Sequence, residues 1–277
     1  MTPLEIGICS WSIDRDDPVR ALHVAAQEFN VRVVQVGFFG KSSLDRVTAE
    51  SIRVATSEAG VEISAAFVAF DNEDYSSIDA VRKTCGFIPS EHFKDRLTQA
   101  SRAAALTASL RLNKLALHLG PIPENPADPL YAALLDRVRR LTDAVAHYGV
   151  TILAESGAES AETLDRFLDD LSRDAVGVNF DAGNFITYGT GDPVRAVATL
   201  SQRIRHVHLK DYVPSSAPGQ QWGADTPLGA GQADIPRVIS KLRAKGYTGP
   251  LVLERRAREG DYQPIREDLA YLRSMFQ

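Results

Sequence analysis

Eight short apolar segments, rich in β-branched residues, recur along the whole chain: "LEIGICS" (4–10), "VRVVQVGF" (31–38), "VEISAAFVAF" (61–70), "KLALHLG" (114–120), "VTILAES" (150–156), "AVGVNFD" (175–181), "IRHVHLKD" (204–211) and "GPLVLER" (249–255). Runs of this length, bounded by turn residues, predict buried strands. Between them apolar residues recur at helical spacing, most clearly at Leu130, Leu134, Val138, Leu141 and Val145. "DPVRAL" (17–22), "DPVRAV" (192–197) and "NPADPLYAALL" (125–135) each set an Asp before a Pro, so the carboxylate caps free N–H groups and Pro takes the first helical position. "SEAG" (57–60), "HYG" (147–149) and "AKGYTG" (244–249) supply glycine for left-handed helix ends, and a strand follows each directly.

Eight strand-then-helix units predict a closed parallel (β/α)8 barrel, one domain over residues 1–277. An open doubly wound sheet usually carries a glycine-rich phosphate loop after its first strand. Here that turn reads "CSWSIDRDDP", without G-x-G-x-x-G. Two connections are long, residues 70–92 and 212–233. Both leave C-terminal strand ends, where barrel sites lie, and both are candidate lids.

Composition narrows the function. The chain has 277 residues, 44% hydrophobic and 24% charged, an ordinary globular balance. Its net charge is −5 and its basic residues are scattered, so neither nucleic acid nor an anionic membrane is an expected partner. The two cysteines, Cys9 and Cys85, form no CxxC pair and receive no catalytic role. No apolar run approaches the ~18 residues of a spanning helix. "MTPLEIGICSW" lacks the features of a signal peptide, so a cytoplasmic enzyme is the expectation.

The later runs end in groups that bind metals: Glu155 in the fifth, Asp181 in the sixth, His206 and His208 on one face of the seventh, and Glu254 in the eighth. A lone Glu after a strand is most often a surface charge, and a lone His on a strand is more often a satisfied core residue. Four strand tips meeting at one barrel mouth are a different matter. Three carboxylates held together repel one another unless a cation neutralises them. The economical solution is one divalent metal held by Glu155, Asp181, His208 and Glu254. Three oxygens and one nitrogen suit Mn2+ first, with Mg2+ and Co2+ close and Zn2+ less so, and leave positions open for substrate oxygens.

"HVHLKD" (206–211), "PLGAGQADIPRVISKLRAKGYTGPLVLE" (227–254) and "DAGN" (181–184) carry a resemblance to the xylose isomerase-like barrel superfamily, over essentially the whole chain. That superfamily includes sugar isomerases, ketose 3-epimerases, inosose and dehydroshikimate dehydratases, and endonuclease IV. The resemblance implies the same four metal ligands, with His206 one layer deeper, orienting the site. It places Asn184 where relatives use a histidine on substrate or metal, His118 on the pocket wall, and Gln35 where many relatives carry a substrate-contacting glutamate. A homodimer or homotetramer is also implied.

The trinuclear zinc branch needs more histidines than the six present, of which His23, His92 and His147 fall in predicted helices. What remains is proton transfer next to the carbonyl of a sugar or cyclitol, through an enediolate stabilised by the metal. Glu155 and Glu254 serve as base and acid. Lys210 either stabilises an oxyanion or is a solvated lysine paired with Asp211. Trp11, Phe38 and Phe67 are candidates for an apolar wall under the sugar, with core packing the alternative. Trp222, in a Gly-, Ser- and Pro-rich loop, is expected to close over the substrate. An isomerase or 3-epimerase is the first expectation. A dehydratase or a lyase cleaving a 3-keto-glycoside is the second, and a non-catalytic sugar-binding barrel the third.

Overall fold

The computed structural model describes residues 4–257 and 260–276. Strands β1 (Ile6–Cys9), β2 (Val33–Phe39), β3 (Glu62–Ala69), β4 (Lys114–Leu117), β5 (Thr151–Glu155), β6 (Val176–Asp181) and β7 (Ile204–Leu209) pair in parallel in sequence order. After β7 the chain makes a separate antiparallel ribbon of β8 (Asp211–Val213) and β9 (Ala224–Thr226). Strand β10 (Leu251–Leu253) then closes the barrel by pairing with both β7 and β1. The result is a single (β/α)8 barrel, as the alternation of segments predicts.

Each predicted run holds a barrel strand, and most are shorter than the apolar pattern suggests. The fourth ends at Leu117, just before His118. The eighth starts only at Leu251, because Pro250 has no N–H for the ladder. Glu254 lies one residue beyond β10, yet its backbone N–H still donates to Leu209 O at 3.0 Å. The predicted caps form: Asp17, Asp128 and Asp192 each accept first-turn backbone N–H bonds beside a proline. Gly60, Gly149 and Gly246 adopt the left-handed conformation.

The main core lies between the strands and the outer helices. Inside the barrel the packing is of two kinds. An apolar cluster of Phe67, Ala69, Ala116 and Leu153 carries Trp11 and Phe39 packed against it. Beside it sit Gln35, Asn179, His206 and His208, all with 0% exposure. Such groups are tolerated inside only with partners.

The connection after β7 is pinned by one carboxylate. Asp211 accepts backbone N–H bonds from Tyr212, Gly229, Gly231 and Ala233 at 2.9–3.0 Å. A Cβ on Gly231 would collide with Asp211 Oδ1, so the "GAGQAD" segment closes around this group only with glycine there. Asp211 therefore faces the loop and does not pair with Lys210. A second clamp joins the ribbon to the barrel: Arg255 pairs with Asp225 on β9 and, at 3.3 Å, with Asp268 on the C-terminal helix Gln263–Ser274.

Candidate metal centre at the barrel mouth

Glu155 ends β5, Asp181 ends β6, His208 lies on β7 and Glu254 follows β10. One ligand atom from each lies within 4.8 Å of the other three. These residues form a cluster able to hold a metal ion. His208 Nδ1 faces the carboxylates, 3.4 Å from Glu155 Oε1, 3.8 Å from Asp181 Oδ2 and 3.5 Å from Glu254 Oε2. Its other nitrogen, Nε2, is 2.5 Å from Gln35 Oε1. An amide oxygen only accepts, so Nε2 carries the proton and the Nδ1 lone pair is left for a metal. Asp181 Oδ2 and Glu254 Oε2 are buried and face His208 Nδ1 and the Lys210 ammonium. The donor set fits a divalent ion.

Lys210 enters the same cluster. Its Nζ is 2.5 Å from Glu254 Oε2 and 3.2 Å from Asp181 Oδ2, and the residue is only 6% exposed. Burial opposes its charge, but Asp181 and Glu254 outweigh burial and hold its pKa well above 10.5. Burial likewise opposes ionisation of Glu254, and Lys210 with His208 overcomes it, keeping this carboxyl well below the usual range. Glu155 is also lowered, against burial, chiefly by His208 and His118. Both glutamates are thus carboxylates at neutral pH. Burial opposes charge on His208 as well, yet Cys9, Glu155 and Asp181 raise its pKa well above 6.5. A bound cation would compete with that proton.

Neighbours orient the ligands. Trp11 Nε1 donates to Glu254 Oε1 at 3.0 Å, and Gly37 leaves room for the indole, because a Cβ there would strike the ring. Asn184 Nδ2 donates to Glu155 Oε1 at 3.3 Å, while its backbone N–H donates to Asp181 Oδ1 at 2.9 Å. Asn179, which drew no attention in the sequence, is a hub. Its Nδ2 donates to Glu155 Oε2 at 3.1 Å and lies 3.2 Å from His208 Nδ1, and its Oδ1 accepts from His206 Nδ1 at 2.7 Å. His206 Nε2 meets Ser64 Oγ at 2.9 Å. Burial, followed by the charge of His208, depresses the His206 pKa well below 6.5, so this ring stays neutral. His206 reaches the ligands through Asn179 rather than directly.

Above the cluster opens a cavity of about 500 Å3. Trp11, Phe67, His118, Glu155, Asn184, Lys210, Trp222 and Glu254 are on its wall, where sequence reasoning set them. One expectation needs correction, and one open alternative resolves toward core packing. Gln35 is fully buried behind His208 and off the cavity wall, so it supports the imidazole and does not meet substrate. Phe38 belongs to the outer core, and it is Phe39 that lines the cavity. Gln35, Gly37 and Phe39 alternate onto the inner face, whereas Phe38 has the opposite parity. Parity also marks Asn179, two residues before Asp181. Arg15, Tyr75, Thr187, Tyr188, Tyr212 and Arg256 complete much of the wall from loops, a short helix and the ribbon, where barrel periodicity gives no signal.

Neither cysteine is activated. Burial pushes the Cys9 thiol up to about 12, although its sulfur lies 3.6 Å from His208 Nε2. Burial, reinforced by Glu73, raises Cys85 well above 9.0. No helix among the described residues is long and apolar enough to cross a membrane.

A curated inosose dehydratase of Geobacillus kaustophilus is 22% identical over 274 residues, covering 92% of this chain and 88% of that protein. The crystal structure of a xylose isomerase domain protein from Planctomyces limnophilus superposes with a TM-score of 0.85 at 28% identity, covering 99% of this chain and 96% of the other. A 3-keto-D-glucoside 4-epimerase from E. coli has the same fold, with a TM-score of 0.71 at 18% identity over 98% of this chain and 100% of its own. Residues 24–275 match the family model described as "Xylose isomerase-like TIM barrel", and the chain belongs to that family.

Proposed function

We propose that the protein moves a proton at the carbon next to a carbonyl of a sugar or cyclitol, with a divalent metal as cofactor, and returns it to give an isomer or epimer. The convergence of three carboxylates and one imidazole from four strand ends beneath a cavity of mixed polar and aromatic wall carries this reading. Glu155, Asp181, His208 and Glu254 would hold the ion, with Mn2+, Mg2+ or Co2+ favoured by the oxygen-rich set. When bound it supplies charge that polarises a carbonyl and stabilises the enediolate.

The chain's own residues do the rest. Glu155 and Glu254, both ionised, can each accept the proton, and the carboxylic acid so formed, in exchange with solvent, returns it. Two amides fix Glu155, and an indole N–H with an ammonium fixes Glu254, so each carboxylate is aimed before substrate arrives. Lys210 sets a fixed positive charge beside the reacting oxygens. Trp11, Phe39 and Phe67 offer an apolar face to the C–H side of a sugar ring, and Trp222 closes from the ribbon loop. The test is deuterium wash-in. Metal-loaded protein in D2O, given ketoses and keto-cyclitols, should label one carbon of an accepted substrate, and no wash-in across the panel would overturn the proposal.

One observation favours a second reading. The inosose dehydratase relative spans nearly the whole chain. The same proton abstraction followed by loss of a β-hydroxyl gives dehydration. An ultraviolet-absorbing enone product identifies that outcome, whereas an isomeric sugar identifies the first.

A further inference from the structure

Four cationic side chains line the cavity: Arg15, Lys210, Arg255 and Arg256. Two are committed to carboxylates, Lys210 to Glu254 and Asp181, and Arg255 to Asp225 and Asp268. Among the described residues Arg15 and Arg256 take part in no ion pair, and both are exposed to the cavity mouth. Arg15 follows β1, Arg256 follows β10, and these strands are paired neighbours, so both arginines rise from one sector of the rim. Arg15 lies against the wall, with its Cζ 4.4 Å from the centroid of the Phe39 ring. The backbone of Arg256 is tied to the ribbon, its N–H donating to Asp225 Oδ2 at 3.2 Å.

Trp222 and Thr187, also on the wall, each carry a buried side-chain donor without a hydrogen bond among the described residues. A divalent ion and Lys210 would offset the three clustered carboxylates, and Arg255 is engaged by Asp225 and Asp268, leaving Arg15 and Arg256 as the cationic groups of the wall without an ion-pair partner among the described residues.

We infer that Arg15 and Arg256 form a subsite for an anionic substituent of the substrate, a carboxylate or a phosphoryl group, on the rim sector above β1 and β10. Guanidinium forks match either oxyanion geometrically. The inference rests on the proposed sugar or cyclitol chemistry and narrows it to acidic or phosphorylated substrates.

Calorimetric titration of the metal-loaded protein tests it with three probes: glucitol as the neutral reference, gluconate for the carboxylate, and glucose 6-phosphate for the phosphoryl group. At least one anion should bind tenfold or more tightly than glucitol, and the larger preference identifies the substituent. R15Q and R256Q should each reduce that preference about tenfold, and the double variant should abolish it, with thermal melting confirming that each is folded. Equal binding of all three probes by the wild type would overturn the inference. So would a preference that survives in the double variant, because the metal alone would then account for it. A protein that labels neutral ketoses in D2O yet shows no anion preference loses the subsite and keeps the proposed chemistry. An arginine-dependent preference without any wash-in does the reverse.

Discussion

Glu159 offers a sharp test of how burial acts at this barrel mouth. It is only 4% exposed, and its carboxyl accepts a hydrogen bond from Ile122 N at 3.3 Å. Burial, helped by the charge of nearby Glu124, raises its pKa from 4.5 to about 8. The folded protein therefore holds a proton here that the unfolded chain releases above its ordinary pKa. Between those two values the folded state binds more protons, so this group's contribution to stability falls as pH rises. At 1.36 kcal/mol per unit, the loss between pH 5 and pH 7.5 is roughly 3 kcal/mol. Glu159→Gln keeps the shape and the acceptor and cannot ionise. Any cost of desolvating its amide is independent of pH and cancels when two pH values are compared. For a chain of this length 1 kcal/mol moves Tm by about 2 °C, so the difference in Tm between variant and wild type should grow in the variant's favour by about 5 °C from pH 5 to pH 7.5. Scanning calorimetry of both proteins at fixed metal concentration measures it. A difference that stays constant within about 1 °C would refute the reasoning, because Glu159 would then be ionised or solvated in the folded protein.

Other outcomes follow from the site and its supports. Chelation with EDTA should abolish turnover and lower Tm, and added Mn2+ or Co2+ should restore both; full turnover by chelated protein would eliminate the metal mechanism. Glu254→Gln should keep the fold but lower deuterium wash-in by about 10^2- to 10^4-fold, the usual worth of a positioned acid or base; unchanged wash-in would reject its role. Asp211→Ala leaves several loop N–H groups without an acceptor and should destabilise the protein by about 3 kcal/mol, with faster protease cleavage within residues 212–233; unchanged melting and digestion would count against the pinning role. Trp222→Ala should raise KM about tenfold or more with little change in Tm, and an unaltered KM would remove it from the substrate wall.

The barrel and the cluster were readable in the sequence for one reason. A buried strand in a closed barrel has a strict two-residue period, and its last inward position is fixed relative to the mouth. Glu155, Asp181, His208 and Glu254 each stand at such a position. The same rule, applied fully, reaches Asn179 and exchanges Phe38 for Phe39. What parity cannot do is weigh depth along a strand. Gln35 shares the inner face but lies under the imidazole. The wall residues from connections, such as Thr187, Tyr188 and Arg256, follow no period, because their positions depend on where loops fold back. Much of "HVHLKD" and "GAGQAD" concerns that folding back: Asp211 binds loop backbone, and only His208 and Lys210 of the first motif enter the cluster.

The ribbon connection is fastened at two places. Asp211 grips its far end, and Arg255 grips β9; each fastening residue adjoins a member of the cluster, Lys210 in one case and Glu254 in the other. Between the fastenings, residues 214–223 carry Trp222 over the cavity without belonging to either clamp. One part of the cavity wall is thereby carried by a stretch of chain separable from the cluster. A new sequence of similar length between Val213 and Ala224 would replace Trp222 while the two fastenings still hold the residues beside Lys210 and Glu254 in place.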